Sequence, residues 1–121
     1  MKSERLRSFI LFLGSVLGAC GVMLAAAATH TGETYMLGKA SAMALAHAPV
    51  LIALSVGWER IRTAMPASLV LGIGTALFVG DLVSRHFSGN SLFPFAAPAG
   101  GMGMVAGWLV LAVGAFMKPK N

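Results

Sequence analysis

Charge is scarce in this chain. Only 11% of its 121 residues are Asp, Glu, Lys or Arg, whereas 57% are hydrophobic. A soluble domain covers itself with about 25% charged residues, and a small one has too much surface for its volume to hide such an apolar excess. A water-soluble fold is therefore excluded, and lipid has to be the solvent. Cysteine is nearly missing as well. Cys20 stands alone inside an apolar run, so there is no intrachain disulfide and no cysteine-based metal site. It reads as a small packing residue.

The usual sets of reacting groups are also missing. There is no Ser-His-Asp order, no pair of neighbouring carboxylates and no repeat of metal ligands. Met102 and Met104 are soft donors of the kind copper(I) accepts, but they are not clustered with histidine. "APAGGMGMVAG" has the glycines of a phosphate loop without its Lys and Ser/Thr. No catalytic residue, cofactor or metal is expected, and the chain does not read as an enzyme. Nor is nucleic acid expected as a partner. The net charge of +5 comes from short basic clusters between apolar runs, the pattern of cytoplasmic loops.

What the chain does have is apolar length. A hydrocarbon core of about 30 Å needs about 20 helical residues. Four segments reach this, at about 9–28, 40–58, 67–84 and 95–117. The connections between them are short and polar, with no room for a second domain and no repeat. The fold class is all-α, a bundle of four transmembrane helices in one integral membrane domain covering 1–121. Lys2, Arg5, Arg7, Arg60, Arg62, Lys118 and Lys120 fall on one side, against Lys39 and Arg85 on the other, so both termini are expected in the cytoplasm. Trp58 falls at a cytoplasmic boundary, where an amphipathic ring is at home.

"LGACGVMLAAAATH" at 17–30 raises an alternative, because "LGAC" and "AAA" look like processing sites. The even spans and the single charge rule favour keeping this stretch as the outer half of the first helix.

Apolar helices in lipid associate by close packing, which small residues allow. Four-residue spacing picks out Gly14 and Gly18 in the first segment and Ala40, Ala44 and Ala48 in the second. It picks out Gly72, Ala76 and Gly80 in the third, and Gly103 and Gly107 in the fourth, with Gly100 and Gly101 just before. The lipid bilayer is thus the first partner, with a homo-oligomer or a larger membrane complex as the second. Pro49 is expected to kink the second segment and Pro98 the start of the fourth, since proline removes a backbone donor.

Ionisable groups within spans are functional candidates. His47 lies near mid-membrane and His30 ends the first segment. Asp81 has Arg85 one turn beyond it, at a spacing that lets them pair. His30, His47, Asp81 and Arg85 form the candidate polar cluster of the outer half.

Three blocks together resemble a known family. "GACGVMLAAAATH" fits G-A-x-G-V-x-L-x-A-x-x-x-H with His30 on its histidine, and "AHA" places His47 and Ala48 on a His-Ala pair. Leu77, Phe78, Gly80, Leu82, Gly89, Pro98, Gly100 and Gly101 follow in order, and Gly107-Trp108 matches a Gly-Trp. The pattern is similar to that of domain-of-unknown-function family 423, the YgdD/YwdK-like small bacterial membrane proteins. The resemblance covers about residues 10–115 and implies a four-span protein of the bacterial inner membrane, with a retained first segment and no established activity. Two positions depart from it. The family usually has Tyr and Gln before the second histidine, and a small or hydroxyl residue in place of Asp81.

Two functional readings follow. One is a non-catalytic accessory, assembly or membrane-packing component. The other is a small proton- or cation-coupled transporter or channel that uses His47 and Asp81. A dry bundle with an exposed small-residue face favours the first; a polar path through the membrane favours the second.

Overall fold

The computed structural model describes residues 2–119 as four α-helices. They are α1 (Lys2–Thr31), α2 (Met36–Val56), α3 (Ala64–Ser88) and α4 (Ala96–Val113), with a short 3-10 turn over Gly114–Phe116. Lys120, one of the basic residues that set the expected orientation, lies outside the described residues. Each helix is long and apolar enough to cross a membrane. In lipid a helix satisfies its backbone internally, so an apolar run of this length has one stable form. The ends of α1 and α4 nearest the termini share one face with the 57–63 connection, called here the terminal face; the loops at 32–35 and 89–95 share the other.

The helices are longer than their apolar runs. At 1.5 Å per residue α1 extends roughly 45 Å. Its first turns are polar and lie against the end of α2, where Arg7 Nε donates to the Ser55 carbonyl at 2.7 Å. Trp58 Nε1 donates to Ser3 Oγ at 2.9 Å, and the indole is fully buried. Trp58 therefore closes the terminal end of the core instead of facing the lipid interface. The ends are set by backbone chemistry. Gly89 takes a left-handed φ of 78° and donates its N–H to the Arg85 carbonyl, closing α3. Pro66 and Pro98 sit in the first turns of α3 and α4, where a missing N–H breaks no intrahelical bond. Pro98 therefore opens a helix and does not kink one. Pro49 lies inside α2, which continues through it as helix.

α1 packs chiefly on α2 and α4 on α3, with α2 against α3 between the two hairpins. The core runs along this seam through Ala40, Ala44, Ala48, Leu51, Leu71 and Ala67. Close approach is what permits it. A Cβ placed on Gly74 would stand 2.8 Å from the Gly100 carbonyl oxygen, and one on Gly100 2.7 Å from the Gly74 oxygen. On Gly107 it would stand 2.6 Å from Leu71, and on Gly103 3.3 Å from the Gly74 Cα. In the other hairpin a Cβ on Gly14 would meet the Ala48 carbonyl at 3.1 Å, one on Gly18 the Ala48 Cβ at 3.7 Å, and one on Gly21 the Leu45 side chain at 2.6 Å.

The expected stripes hold in part. Ala40, Ala44 and Ala48 are all buried, as a single helical face should be. On α3 the stripe divides. Gly72 meets Leu13 of α1 and Leu51 of α2, Gly80 faces Leu92 in the following loop, and Ala76 is exposed. The face turned to α4 carries Gly74, because residues two apart on a helix point in nearly opposite directions. A methyl group on Gly101 would find nothing within 4 Å, so this glycine serves no close approach within the chain.

These contacts set opposite expectations for one substitution. Gly100→Ala or Gly74→Ala should lower stability by about 1–3 kcal/mol, since the overpacking is against backbone that cannot move aside. Gly101→Ala should be neutral or slightly stabilising, because only the helix-propensity gain of up to about 1 kcal/mol applies. Thermal melts of the three variants in detergent check this; equal behaviour at positions 100 and 101 would contradict the packing.

Candidate functional site

Two buried polar clusters lie inside the spans. The first joins α2 to α4 near mid-membrane. His47 is 5% exposed. Its Nδ1 bonds the Met43 carbonyl at 2.9 Å, and the indole Nε1 of Trp108 donates to its Nε2 at 3.1 Å. A carbonyl only accepts and an indole N–H only donates. The pair of contacts therefore requires the neutral ring with its hydrogen on Nδ1. The rings meet edge to face, with centroids 5.7 Å apart and an interplanar angle of 64°. The α2 bond is local, one turn back along the helix, so the inter-helix link is the Trp108 bond alone.

The second cluster closes the α3–α4 hairpin. The Asp81 side chain is wholly buried. Its Oδ2 accepts from Arg85 Nε at 3.0 Å, and its Oδ1 accepts the Leu92 backbone N–H at 2.9 Å. Arg85 is part-exposed and satisfies the carboxylate from the loop side. A carboxylate in an apolar setting is tolerable only when paired and hydrogen-bonded, and here both oxygens are engaged. The helix spacing made the Asp81–Arg85 pair legible. The Leu92 contact was not, because it depends on how the 89–95 loop folds back.

His30 stands apart. It is exposed, and its ring Nδ1 donates to the Ala26 carbonyl at 2.8 Å, in line with Thr29 and Thr31, which also bond back along α1. Among the described residues no hydrogen bond or ion pair joins His30, His47 and Asp81, and only Asp81 and Arg85 of the expected cluster meet. Among the described residues no group of three or more His, Cys, Asp or Glu is placed to hold a metal ion. Ser41 donates to the Gly21 carbonyl across α1 and α2 at 2.7 Å, and Thr75 to Leu71 within α3 at 2.7 Å, whereas the buried Thr63 hydroxyl has no partner among the described residues. Cys20 is half-buried as a free thiol.

Four long apolar helices with short loops define a multi-pass, all-helical membrane protein. A family model for proteins of unknown function (DUF423) matches residues 17–101, most of the chain, and the chain belongs to that family. Among curated proteins it is similar to the inner membrane protein YgdD of Escherichia coli K12, with 36% identity over 55 residues. That segment is 46% of this chain and 42% of the relative, so the match spans less than half of YgdD. The Shigella flexneri YgdD matches to the same extent. No solved structure matches. The chain is thus a multi-pass protein of the inner membrane. The Gly107-Trp108 motif lies beyond the matched range, yet Trp108 is the partner of the motif histidine His47.

If Trp108 fastens α4 through His47, a double-mutant cycle with His47→Ala and Trp108→Phe should give a coupling of about 0.5–1.5 kcal/mol in the unfolding free energy. Additive losses would remove the link. At the other cluster, Asp81→Ala should destabilise by about 3 kcal/mol, the order expected when a buried ion pair is broken. It should do so more than Asp81→Asn, which keeps an acceptor for the Leu92 N–H; urea or thermal unfolding separates the two.

Proposed function

We propose that this protein is a non-catalytic component of the inner membrane, a small helical unit that packs against itself or a larger membrane partner with both termini in the cytoplasm. The observation that carries the reading is the state of the two intramembrane ionisable groups. His47 is engaged by Trp108 and Met43, and Asp81 by Arg85 and Leu92. Both act as fasteners between elements. A transported proton or cation needs a chain of exchangeable polar groups from one face to the other, and among the described residues no hydrogen bond or ion pair joins these two clusters.

The outward surface supports the same reading. α1 and α4 flank the core and leave large apolar side chains uncovered, among them Phe12, Val22 and Met23 on α1 and Val105, Leu109 and Val113 on α4. Such faces suit lipid or other helices, with Gly101 open for a close approach. The seven-to-two distribution of basic residues supports the orientation of the termini.

The test against transport is direct. Protein reconstituted in proteoliposomes with an imposed pH gradient should give proton and potassium fluxes at the level of empty vesicles, and His47→Ala should not change them. A flux that His47→Ala or Asp81→Asn abolishes, in protein that remains folded, would overturn the packing reading in favour of a transporter.

A further inference from the structure

We propose that the groove between α1 and α2 binds one anionic phospholipid of the leaflet on the terminal face. Two hollows follow one another along the same pair of helices. The larger one, about 510 Å³, is an almost wholly apolar trough between Gly14, Gly18 and Ala19 of α1 and Ala48, Pro49 and Ala53 of α2. The second, about 220 Å³, lies toward the terminal face between Arg7 and Ser8 of α1 and Ser55 of α2. Leu11 of the second and Ser15 of the first are one helical turn apart, so mouth and trough run end to end.

The gradient of chemistry along the groove identifies the occupant. From Glu4 to Ala19 the groove follows α1 for roughly 22 Å. Half of a bilayer, headgroups included, is about 20–22 Å. The polar end lies where headgroups lie and the apolar end reaches the bilayer centre, as in a single lipid. A second copy in the same orientation would bring its own basic first turns, Lys2, Arg5 and Arg7, against Arg7, whereas an anionic headgroup complements it.

The mouth also has the right charge. Arg7 gives Nε to the Ser55 carbonyl, which fixes the guanidinium at the groove. A second nitrogen reaches Glu4 at 3.4 Å in an exposed pair, which leaves further N–H groups of the fork available to a ligand. Guanidinium is the side chain best suited to phosphate. Lys2 and Arg5, in the same first turns of α1 but outside the lining, make this end of the helix net basic despite Glu4. The trough has its floor at Gly14, Gly18 and Ala48, where small residues leave no long side chain to fill it, with Leu45 and Ile52 among its apolar walls. In a bilayer such a space is occupied by chains of the solvent. This assignment goes beyond the packing function and does not rest on it.

Native mass spectrometry of the full-length protein in mild detergent, titrated with phosphatidylglycerol and separately with phosphatidylcholine, tests the proposal. One phosphatidylglycerol should bind to wild type in preference to phosphatidylcholine. Ala19→Leu and Ala53→Leu start from exposed side chains and fill the trough, and each should weaken both lipids about tenfold. Arg7→Gln, which keeps a donor for Ser55, should remove the preference and spare phosphatidylcholine. Equal binding of the two lipids to wild type would overturn the proposal, as would unchanged binding in either folded trough variant. So would efficient disulfide dimerisation of Ala53→Cys in membranes, which would place a second copy in the groove.

Discussion

Lipid gives one helix no hydrophobic reason to approach another, so everything that holds this protein together depends on how closely its backbones can meet. The decisive place is the crossing of α3 and α4 at Gly74 and Gly100, where a methyl group on either residue would run into the backbone of the other helix. Dispersion falls steeply with separation, so removing two side chains at the crossing brings many other atoms into contact range. Gly103 and Gly107 extend the same seam until Leu71 lies in the space a side chain on Gly107 would occupy. With α3 held on that side, its opposite face is free to present Gly72 to Leu13 and Leu51. The middle of the molecule is thus a pair of helices, α2 and α3, made of small and branched residues, with α1 and α4 as flanks.

Polar side chains supplement this packing at the points where glycine cannot act. The 89–95 loop has no regular structure to hold it, and the Asp81 carboxylate anchors it by accepting the Leu92 N–H. α2 and α4 belong to different hairpins, and the His47–Trp108 bond links them at mid-membrane. At the terminal face Arg7 and Trp58 tie α1 to the end of α2 and to the loop after it. A buried polar contact has no water to compete with it, but the membrane-embedded unfolded chain finds partners too, so each contact contributes modestly. The number and placement of the links matter more than the strength of any one.

The existence and length class of the helices were legible because hydropathy reports the solvent directly. Their ends were less so: α1 begins at Lys2, well before its apolar run, since polar turns continue a helix outside the hydrocarbon at no penalty. Spacing within a helix was also legible, giving the Ala40–Ala44–Ala48 face and the Asp81–Arg85 pair. Spacing fails where a helix has two neighbours. On α3 the four-residue rule followed Gly72 and passed over Gly74, which is pressed against backbone instead of a side chain. Pairings between helices were not legible at all. His47 and Trp108 were each visible as family-pattern positions, but nothing in their separation along the chain says that they meet. His30 looked like a corner of the same cluster until the structure directed its ring to its own helix.

The two hairpins solve the same packing problem differently, and the difference has a structural cause. In α3–α4 the glycines of both helices fall opposite each other, so the backbones close tightly. In α1–α2 the glycines of α1 fall opposite Leu45, Ala48, Leu51 and Ile52: a Cβ on Gly14 would meet the Ala48 carbonyl and two side chains at 3.1 Å and one on Gly21 the Leu45 side chain at 2.6 Å, but between them a Cβ on Gly18 would find only the Ala48 methyl at 3.7 Å. The loose contact at Gly18 coincides with open space bounded by Ala19, Pro49 and Ala53. The Ser41 bond to the Gly21 carbonyl and the Arg7 bond to the Ser55 carbonyl hold the two helices at either end of that space. The groove is therefore a fixed part of the fold, open beside the loosely contacted Gly18 and kept from splaying by the polar links at its ends.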